Sequence, residues 1–254
     1  MIALDRALQV AVEAARAAGR IARGYYHGRF DVILKPDQTP VTQADREAEQ
    51  AIEKILRSAF PRWGVLGEEF GDRGDSAVRW IVDPIDGTKN FVRGIPFWAT
   101  LIGLEDHGEV VAGVIHNPLT DELYTARRGG GAFLNGTPVR VSSFHDLADA
   151  TMLHAGLALL RQAGYWDGFV RLVDATSRQR GFGDYMGYGL IAQGKAEIYL
   201  ETDLKPWDLA PCKILVEEAG GRFTDLAGAP TIYSGTALAT NGLLHDSVLA
   251  LVRR

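Results

Sequence analysis

Two aspartates three residues apart stand out as the side chains best placed to do chemistry. They lie in Asp83-Pro84-Ile85-Asp86-Gly87-Thr88, directly after the apolar run Trp80-Ile81-Val82. A turn that follows a strand is where open sheets commonly present ligand-binding groups. The glycine allows the backbone to approach a phosphate, whose oxygens accept hydrogen bonds from exposed N–H groups. This segment therefore predicts a site where two carboxylates and a phosphate meet.

A magnesium site needs more oxygen ligands than this pair of aspartates supplies. Mg²⁺ takes hard oxygen ligands at about 2.0–2.1 Å and usually keeps several waters. Further carboxylates are therefore expected from elsewhere in the chain. The candidates are Glu68 and Glu69, which follow Gly67, and Asp208, which follows Trp207 at the start of a predicted helix.

Each of these acidic residues also has a purely structural explanation. Asp208 can stabilise a helix N-terminus, and the two glutamates can be solvated loop charges. The aspartates of the turn can be turn residues, because Asp-Pro and Asp-Gly both favour turns. Asp45 lies three residues after Thr42, which is the spacing of a helix capping box. Taken one at a time, these explanations remain open.

Taken together, three blocks of sequence resemble the inositol monophosphatase superfamily. The blocks are Gly67-Glu68-Glu69, then Trp80-Ile81-Val82-Asp83-Pro84-Ile85-Asp86-Gly87-Thr88 with Asn90-Phe91, then Trp207-Asp208 with Glu218-Ala219-Gly220-Gly221. Their order and spacing agree with the family across nearly the whole chain. The resemblance implies a layered αβαβα sandwich of the inositol monophosphatase and sugar phosphatase type, an α+β or α/β fold. It also implies a magnesium-dependent phosphatase acting on a small phosphate monoester.

The resemblance assigns metal ligands at the matching positions. The first magnesium ion would be held by Glu68, Asp83 and the backbone carbonyl of Ile85. The second would be held by Asp83, Asp86 and Asp208, which makes Asp83 the bridging ligand. The family implies two or three Mg²⁺ ions, without fixing which number acts in catalysis.

Catalytic roles follow from the same resemblance. Asp45 and Thr88 would orient the attacking water, and the N–H groups of Gly87 and Thr88 would contact the phosphate beside Asp86. Glu69 would be a neighbour of the site rather than a main ligand. Metal ions in such sites lower the pKa of a bound water and stabilise the leaving oxygen. Phosphoryl transfer then needs positioning and charge neutralisation, with no covalent enzyme nucleophile.

The substrate prediction depends on a closer resemblance to the bacterial histidinol-phosphatases of this family. The segments that carry it are Lys89, Arg93-Gly94, Trp98–Ile102, Gly183-Asp184-Tyr185 with Tyr188, and Leu204–Asp208. Histidinol phosphate carries an ammonium group and an imidazole, to which Asp184 and Glu201 offer charge or hydrogen-bond acceptors. Arg180 is a further candidate for substrate binding. The sequence therefore predicts hydrolysis of histidinol phosphate, a step of histidine biosynthesis.

Two alternatives to this predicted function stay open. Glu201 lies seven residues before Asp208, where the family contacts the non-phosphate part of its substrate. Its carboxylate can equally accept hydrogen bonds from inositol hydroxyls, so an inositol-1-monophosphatase with broad specificity is the first alternative. The second is a non-catalytic metal-binding module, which would bind metal without releasing phosphate from any monoester.

The elements that position these residues are predicted in two sequential halves. The spacing of Leu4, Leu8 and Ala11 predicts a first helix ending before Gly28, and Thr42 begins a second. Lys35–Pro40 is predicted to be a loop. Strands are predicted at 80–82, 99–104 and 110–115, then at 196–200, 222–225 and 236–240. Helices are predicted near 166–177, 184–193, 207–219 and 243–252. The boundary is placed near residue 142, giving halves 1–142 (antiparallel-rich sheet, most metal ligands) and 143–254 (substrate-specificity residues, Asp208).

Composition limits the remaining possibilities. The 254 residues carry a formal net charge of -5, and no basic patch points to nucleic acid. Bound cations would reconcile an acidic chain with an anionic substrate. One cysteine, Cys212, excludes an intrachain disulfide, and the absence of a long apolar run argues against a membrane span. A cytoplasmic enzyme is expected, and the family resemblance implies a homodimer acting on a small phosphorylated metabolite.

Overall fold

The computed structural model describes residues 2–26, 28, 32–34, 40–74 and 76–253. The helices of this part are α1 (Leu4–Tyr26), α2 (Gln43–Ala59), α3 (Thr88–Val92), α4 (Leu157–Gln162), α5 (Trp166–Ala175), α6 (Asp184–Ala192), α7 (Pro206–Glu218) and α8 (His245–Val252). The predicted loop over Lys35–Pro40 lies outside the described residues except for Pro40.

Fifteen strands accompany these helices in the described residues. They are β1 (Val32–Leu34), β2 (Pro40–Thr42), β3 (Gly64–Gly67), β4 (Gly71–Arg73), β5 (Val78–Asp86), β6 (Ala99–Asp106), β7 (Glu109–Asn117), β8 (Glu122–Arg127), β9 (Gly131–Leu134), β10 (Thr137–Pro138), β11 (Thr151–His154), β12 (Arg178–Arg180), β13 (Ile198–Thr202), β14 (Arg222–Thr224) and β15 (Thr236–Thr240).

Two large sheets account for most of these strands. The first has eight strands in the order β10-β9-β8-β7-β6-β5-β3-β4, and the second has five in the order β12-β11-β13-β15-β14. A short pair, β1 and β2, stands apart from both. In the first sheet only β3 and β5 run parallel, and the other pairs are antiparallel. This sheet is therefore predominantly antiparallel.

Helices and sheets alternate in five layers. The first sheet buries its two faces in different clusters, because successive residues of a strand point to opposite sides. Trp80 and Val82 of β5 pack with α1 and α2 on one side, whereas Ile81 packs with α6 and α7 on the other. The opposite side of α6 and α7 meets the second sheet, whose outer face is covered by α5 and α8. This order confirms the predicted αβαβα sandwich.

The amphipathic pattern of α1 explains its place in the outer layer. Its buried face is formed almost entirely by alanines, including Ala7, Ala11 and Ala18, each at most 2% exposed. Small side chains with high helix propensity let this helix lie close against α2 and the first sheet. Among the described residues, no helix is long and apolar enough to cross a membrane.

The predicted boundary at residue 142 falls between the two sheets, since β10 ends at Pro138 and β11 begins at Thr151. One apolar cluster nevertheless joins both halves, with Leu101 and Tyr124 of the first sheet and Tyr199 and Phe223 of the second. The division into two halves stays a proposal about organisation, and the shared cluster is where they meet.

Candidate metal centre and active site

Strand register places the first two acidic residues side by side. β3 and β5 run parallel with Gly67 opposite Val82, so the next residues, Glu68 and Asp83, emerge at the same edge of the sheet. The Glu68 N–H donates a hydrogen bond to the carbonyl of Val82 at 3.1 Å, which continues this pairing. The Glu68 carboxylate lies close enough to Asp83 to raise its pKa. Two residues fifteen positions apart thus share one site.

The predicted turn at Asp83–Asp86 is instead an irregular stretch within β5. The strand continues to Asp86, and its register against β6 shifts between Asp83 and Asp86. Such bulges bend a strand and redirect its side chains, which lets both carboxylates face the same volume. The N–H of Ile85 donates to Oδ1 of Asp83 at 2.9 Å and stabilises this geometry.

Asp208 completes a group of three carboxylates. One oxygen each from Asp83, Asp86 and Asp208 lies within 4.8 Å of the other two. Asp208 stands in the first turn of α7, where its Oδ2 accepts a hydrogen bond from the N–H of Lys205 at 2.7 Å. The helix-terminal explanation and the metal-ligand explanation are therefore compatible, because one carboxylate oxygen caps the helix and the other remains for the site.

Burial and mutual repulsion make this group unfavourable as bare carboxylates. Burial, with the charges of Glu68 and Asp86, holds the pKa of Asp83 well above its ordinary value. Burial and the charge of Asp184 do the same for the pKa of Asp86. Burial, offset in part by the Lys205 N–H, raises the pKa of Asp208 to about 7. Buried carboxylates of this kind need a cation or protons for charge balance.

The donor set fits a hard divalent cation. All three side chains offer oxygen, which magnesium prefers over nitrogen or sulfur. A fourth oxygen is near, because the Ile85 carbonyl follows Asp83 in the same bulge and accepts a hydrogen bond from Oγ1 of Thr88 at 3.0 Å. The predicted ligands Glu68, Asp83 and Ile85 all line the cleft, which has a volume of about 320 Å³.

Asp45 forms the capping box that its spacing suggested. Its Oδ2 accepts hydrogen bonds from both the N–H and the Oγ1 of Thr42, at 2.7 and 2.6 Å. Its other oxygen, Oδ1, is buried and has no hydrogen-bond partner within the described part of the chain. Burial raises the pKa of Asp45 to about 7, and the charges of Glu68 and Glu69 act in the same direction. Capping therefore occupies only one of its two oxygens.

The segment after β5 turns sharply at a glycine. Gly87 has a φ of +83°, and a Cβ there would lie 3.0 Å from the carbonyl oxygen of Phe97. Any other residue would be strained by the backbone and crowded by this neighbour. Gly87 caps the short helix α3, which begins at Thr88, and both residues line the cleft.

Asp184 and its neighbours join the second half of the chain to this segment. Oδ2 of Asp184 accepts a hydrogen bond from Nδ2 of Asn90 at 2.9 Å, and the same amide donates to the carbonyl of Phe97. Asp184 is the first residue of α6 and has a φ of 55°. Burial raises its pKa, with the Asn90 hydrogen bond and the charge of Lys89 acting in the opposite direction.

The wall formed by β13 carries the other predicted substrate carboxylate. Glu201 is buried, and its Oε2 accepts a hydrogen bond from the hydroxyl of Tyr199 at 2.5 Å. Tyr188 and Thr202 line the same cleft. Their hydroxyl oxygens are buried and lack a hydrogen-bond partner among the described residues. Buried hydroxyls without protein partners are uncommon, so both oxygens remain available to hydrogen-bond a group bound in the cleft.

Two predicted site residues do not line the cleft. One is Asp45 on α2, whose pKa is nevertheless raised by the charge of Glu68; the other is Arg180. It lies on β12, where its side chain is exposed and donates to the carbonyl of the neighbouring Gln179 at 2.7 Å. The residues lining the cleft do not include it. Proximity in sequence to Asp184 suggested the role, but β12 is the edge strand of the second sheet and directs this side chain elsewhere.

Several residues of the site escaped sequence reasoning. Asn90 entered only as part of a motif, yet it holds Asp184 in place. Tyr188 entered only as part of a resemblance, and Thr202 was not considered. Glu49 was also missed, although a glutamate four residues after Asp45, beside the apolar positions Ala48 and Ile52, is the available signal for a buried carboxylate on that face.

Comparison with known proteins agrees with this geometry. The model of the inositol monophosphatase family matches residues 3–254. A histidinol-phosphatase of Mycobacterium tuberculosis is 43% identical over 250 residues, which cover 95% of this chain and 96% of that protein. An inositol-1-monophosphatase of Mesorhizobium japonicum is 38% identical over 256 residues, with 97% and 96% covered. The solved extragenic suppressor protein SuhB of Bartonella henselae superposes with a TM-score of 0.91 at 37% identity, with 98% and 99% covered. The resemblance predicted from three sequence blocks is thus confirmed, and the chain belongs to the inositol monophosphatase family, whose members are magnesium-dependent phosphatases of small phosphorylated substrates.

Proposed function

We propose that this chain is a magnesium-dependent phosphomonoesterase whose preferred substrate is histidinol phosphate. The observation that carries the substrate proposal is the charge of the cleft beyond the metal ligands. Asp184, which is half-buried, and Glu201, which is buried, face the volume next to Asp86 and Asp208. A leaving alcohol with an ammonium group and an imidazole supplies the opposite charge that these carboxylates lack.

Metal binding would use the residues already described. Glu68, Asp83 and the Ile85 carbonyl would hold one Mg²⁺, and Asp83, Asp86 and Asp208 would hold a second. Bound Mg²⁺ supplies Lewis-acid stabilisation of phosphoryl oxygens and lowers the pKa of a coordinated water. Two ions are our proposal, and a third is compatible with the acidic character of the site.

The attacking water would be oriented by Thr88 and Asp45. Because the Thr88 hydroxyl donates its proton to the Ile85 carbonyl, its lone pairs are left to accept a hydrogen bond from water. The unpartnered Oδ1 of Asp45 offers a second acceptor. A carboxyl whose pKa is raised to about 7 suits proton transfer near neutral pH. The phosphate would be held by the N–H groups of Gly87 and Thr88.

An inositol-1-monophosphatase is the second candidate. The unpartnered hydroxyls of Tyr188 and Thr202 beside the Glu201 carboxylate offer several hydrogen bonds to a polyol. These groups fit sugar hydroxyls as well as they fit an amino alcohol. The relative from M. japonicum, named an inositol-1-monophosphatase, is 38% identical to this chain, against 43% for the histidinol-phosphatase of M. tuberculosis.

The deciding experiment is phosphate release with Mg²⁺ from histidinol phosphate and from myo-inositol 1-phosphate under identical conditions. A preference of about tenfold in kcat/KM for histidinol phosphate, equal to about 1.4 kcal/mol, would support the proposal. Equal or better turnover of the inositol ester would contradict the proposed substrate but leave the assignment as a phosphatase unchanged. Metal binding without release from either ester would favour the non-catalytic alternative.

A homodimer is our proposal for the oligomeric state. Phe97 and Phe182 line a side groove next to Asp184 and are 42% and 39% exposed. Ile95, two residues before Phe97, is 37% exposed. Exposed apolar side chains grouped in this way favour contact with a second copy. Sedimentation of the wild type against Phe97→Glu tests it, because a monomeric wild type would contradict the proposal.

A further inference from the structure

A buried carboxylate outside the ligand set reaches the hairpin loop that carries Glu68. Glu49 lies on α2 and is 0% exposed. Its Oε2 accepts a hydrogen bond from the N–H of Glu69 at 2.8 Å, and its Oε1 accepts one from the N–H of Phe70 at 3.1 Å. Both oxygens are thus engaged by consecutive backbone donors of a single loop.

This loop joins β3 to β4 and begins with Glu68. Since the N–H of Glu68 bonds to the carbonyl of Val82, three successive N–H groups of the loop are held by groups outside it. One is held by the sheet and two by Glu49. Without such partners the loop would lose hydrogen bonds to its partly buried N–H groups and would be free to adopt other conformations.

The backbone of Gly67, just before the loop, lies close against the Glu49 carboxylate. A Cβ built on Gly67 would lie 2.0 Å from Oε1 of Glu49. Any side chain at position 67 would therefore push the Glu49 carboxylate away from the loop. The Glu49 carboxylate therefore occupies the space that a side chain at position 67 would need.

Helix α2 also carries Asp45, four residues before Glu49 and on the same face. One helix thus carries Asp45, which we propose to orient the attacking water, and one turn later the carboxylate that holds the loop of Glu68. Displacement of the loop by about 1 Å would weaken Mg²⁺ binding through Glu68, since magnesium demands near-ideal geometry.

We infer that Glu49 is a positioning residue that fixes the Glu68 loop for magnesium binding through its two backbone hydrogen bonds. It does not touch the metal and acts through Glu68. The inference rests on the proposed function, because it takes Glu68 as a magnesium ligand.

The test compares Glu49→Gln with Glu53→Gln in the full chain. Glu53 lies one turn further along α2, is 7% exposed, and pairs with Arg73 at 3.2 Å rather than with the loop N–H groups. Both substitutions remove one buried carboxylate from the same helix face. Gly67→Ala is a second route, because it displaces the Glu49 carboxylate without removing a charge.

Two measurements do not depend on turnover. Hydrogen exchange of the Glu69 and Phe70 amides is expected to accelerate at least tenfold in Glu49→Gln and in Gly67→Ala, relative to Glu53→Gln. Calorimetric titration with Mg²⁺ is expected to give a Kd raised about tenfold, equal to about 1.4 kcal/mol, in the same two variants. The exchange rates and the Kd of Glu53→Gln should stay within about twofold of the wild-type values, even if its melting temperature falls as much as that of Glu49→Gln.

Two outcomes would overturn the inference. Wild-type Mg²⁺ affinity in Glu49→Gln, or an equal loss in Glu53→Gln, would assign Glu49 a role in helix packing alone. These outcomes leave the proposed function standing, because the wild type would still bind Mg²⁺ and release phosphate. A wild type that binds no Mg²⁺ would instead contradict the proposed function and this inference together.

Discussion

The N–H of Tyr185 donates a hydrogen bond of 2.8 Å to Oδ2 of Asp86, joining residues 99 positions apart. Tyr185 is the second residue of α6, and Asp184 immediately before it bonds to Asn90. The beginning of one helix therefore contacts both the acidic bulge of β5 and the helix that follows it. The start of α6 therefore positions both Asp184, a proposed substrate-binding residue, and Asp86, a proposed metal ligand.

Asp184→Asn is expected to change substrate preference more than catalysis. The amide keeps the size of the side chain and removes its charge. We expect kcat/KM for histidinol phosphate to fall about tenfold or more, while hydrolysis of an uncharged-alcohol ester changes by less than about threefold. Asp203→Asn, an exposed carboxylate on the same cleft, makes the same change in net charge and is the control. Equal losses for both esters would contradict a role in selecting the alcohol.

Asp83→Asn is expected to abolish most phosphate release while stabilising the metal-free protein. The loss should be about 10²–10³-fold or greater, as for removal of a single preorganised charge-stabilising group. The midpoint of thermal unfolding without metal should rise, because the variant removes a buried charge close to Glu68 and Asp86. Asp72→Asn, an exposed residue of the same sheet, serves as the comparison. A variant that loses both activity and metal-free stability would indicate a structural role.

Removal of metal should make stability depend on pH in an unusual direction. The pKa of Asp208 in the folded state is about 7, above its ordinary value of 3.8. The folded metal-free protein therefore takes up protons that the unfolded chain does not, and its stability should rise as pH falls from about 8 to 6. Mg²⁺ at a hundred times its Kd should add about 2.7 kcal/mol at the higher pH and less at the lower.

The measurement is thermal unfolding at several pH values with EDTA and with Mg²⁺. The two curves should converge as pH falls, since protons and Mg²⁺ compete for the same oxygens. A stabilisation by Mg²⁺ that grows toward acid pH would exclude these carboxylates as the ligands.

Tyr188→Phe and Thr202→Val should separate stability from function. Each removes a buried hydroxyl that lacks a partner within the described residues, so the free energy of unfolding should stay constant or rise by up to about 1 kcal/mol. The preferred substrate should lose about tenfold in kcat/KM, whereas p-nitrophenyl phosphate should be hydrolysed as by the wild type. Destabilisation with unchanged specificity would show that both hydroxyls serve the fold.

His245 should make the protein less stable in mild acid. Its Nε2 lies 2.9 Å from Oγ1 of Thr224, and its Nδ1 lies 3.0 Å from Oγ1 of Thr240. The Thr224 hydroxyl donates to the carbonyl of Asp225, so Nε2 must be the protonated nitrogen. Thr240 can then donate to Nδ1, and the neutral ring is fully partnered.

Burial lowers the pKa of His245 to about 4, below its ordinary value of 6.5. The unfolded chain then takes up a proton first as pH falls, so stability present above about 6.5 is lost toward 4, by up to about 3 kcal/mol. The free energies of unfolding of the wild type and of His245→Gln, measured by chemical denaturation, should differ at high pH and converge in acid. Parallel curves would show that this histidine does not titrate in that window.

Local sequence carried the identity of most candidate residues. Asp83, Asp86, Gly87 and Thr88 are adjacent in the chain, so a strand-and-turn pattern was enough to predict their proximity. The four- and three-residue spacing of Leu4, Leu8 and Ala11 predicted α1, because helical periodicity depends only on residues in neighbouring turns. The family resemblance supplied the αβαβα order and the predicted ligand Asp208, which no local pattern could connect to Asp83 and Asp86.

Only the tertiary structure decided how these parts meet. The register of β3 against β5 puts Glu68 beside Asp83, and β-register depends on partners that the strand itself does not encode. Tertiary packing also turned Arg180 away from the cleft and brought Glu49 to the loop of Glu68. By itself, the sequence determined which groups are available and which family they belong to. Distances, orientation and burial were decided by long-range contacts, because those quantities depend on segments that lie far apart along the chain.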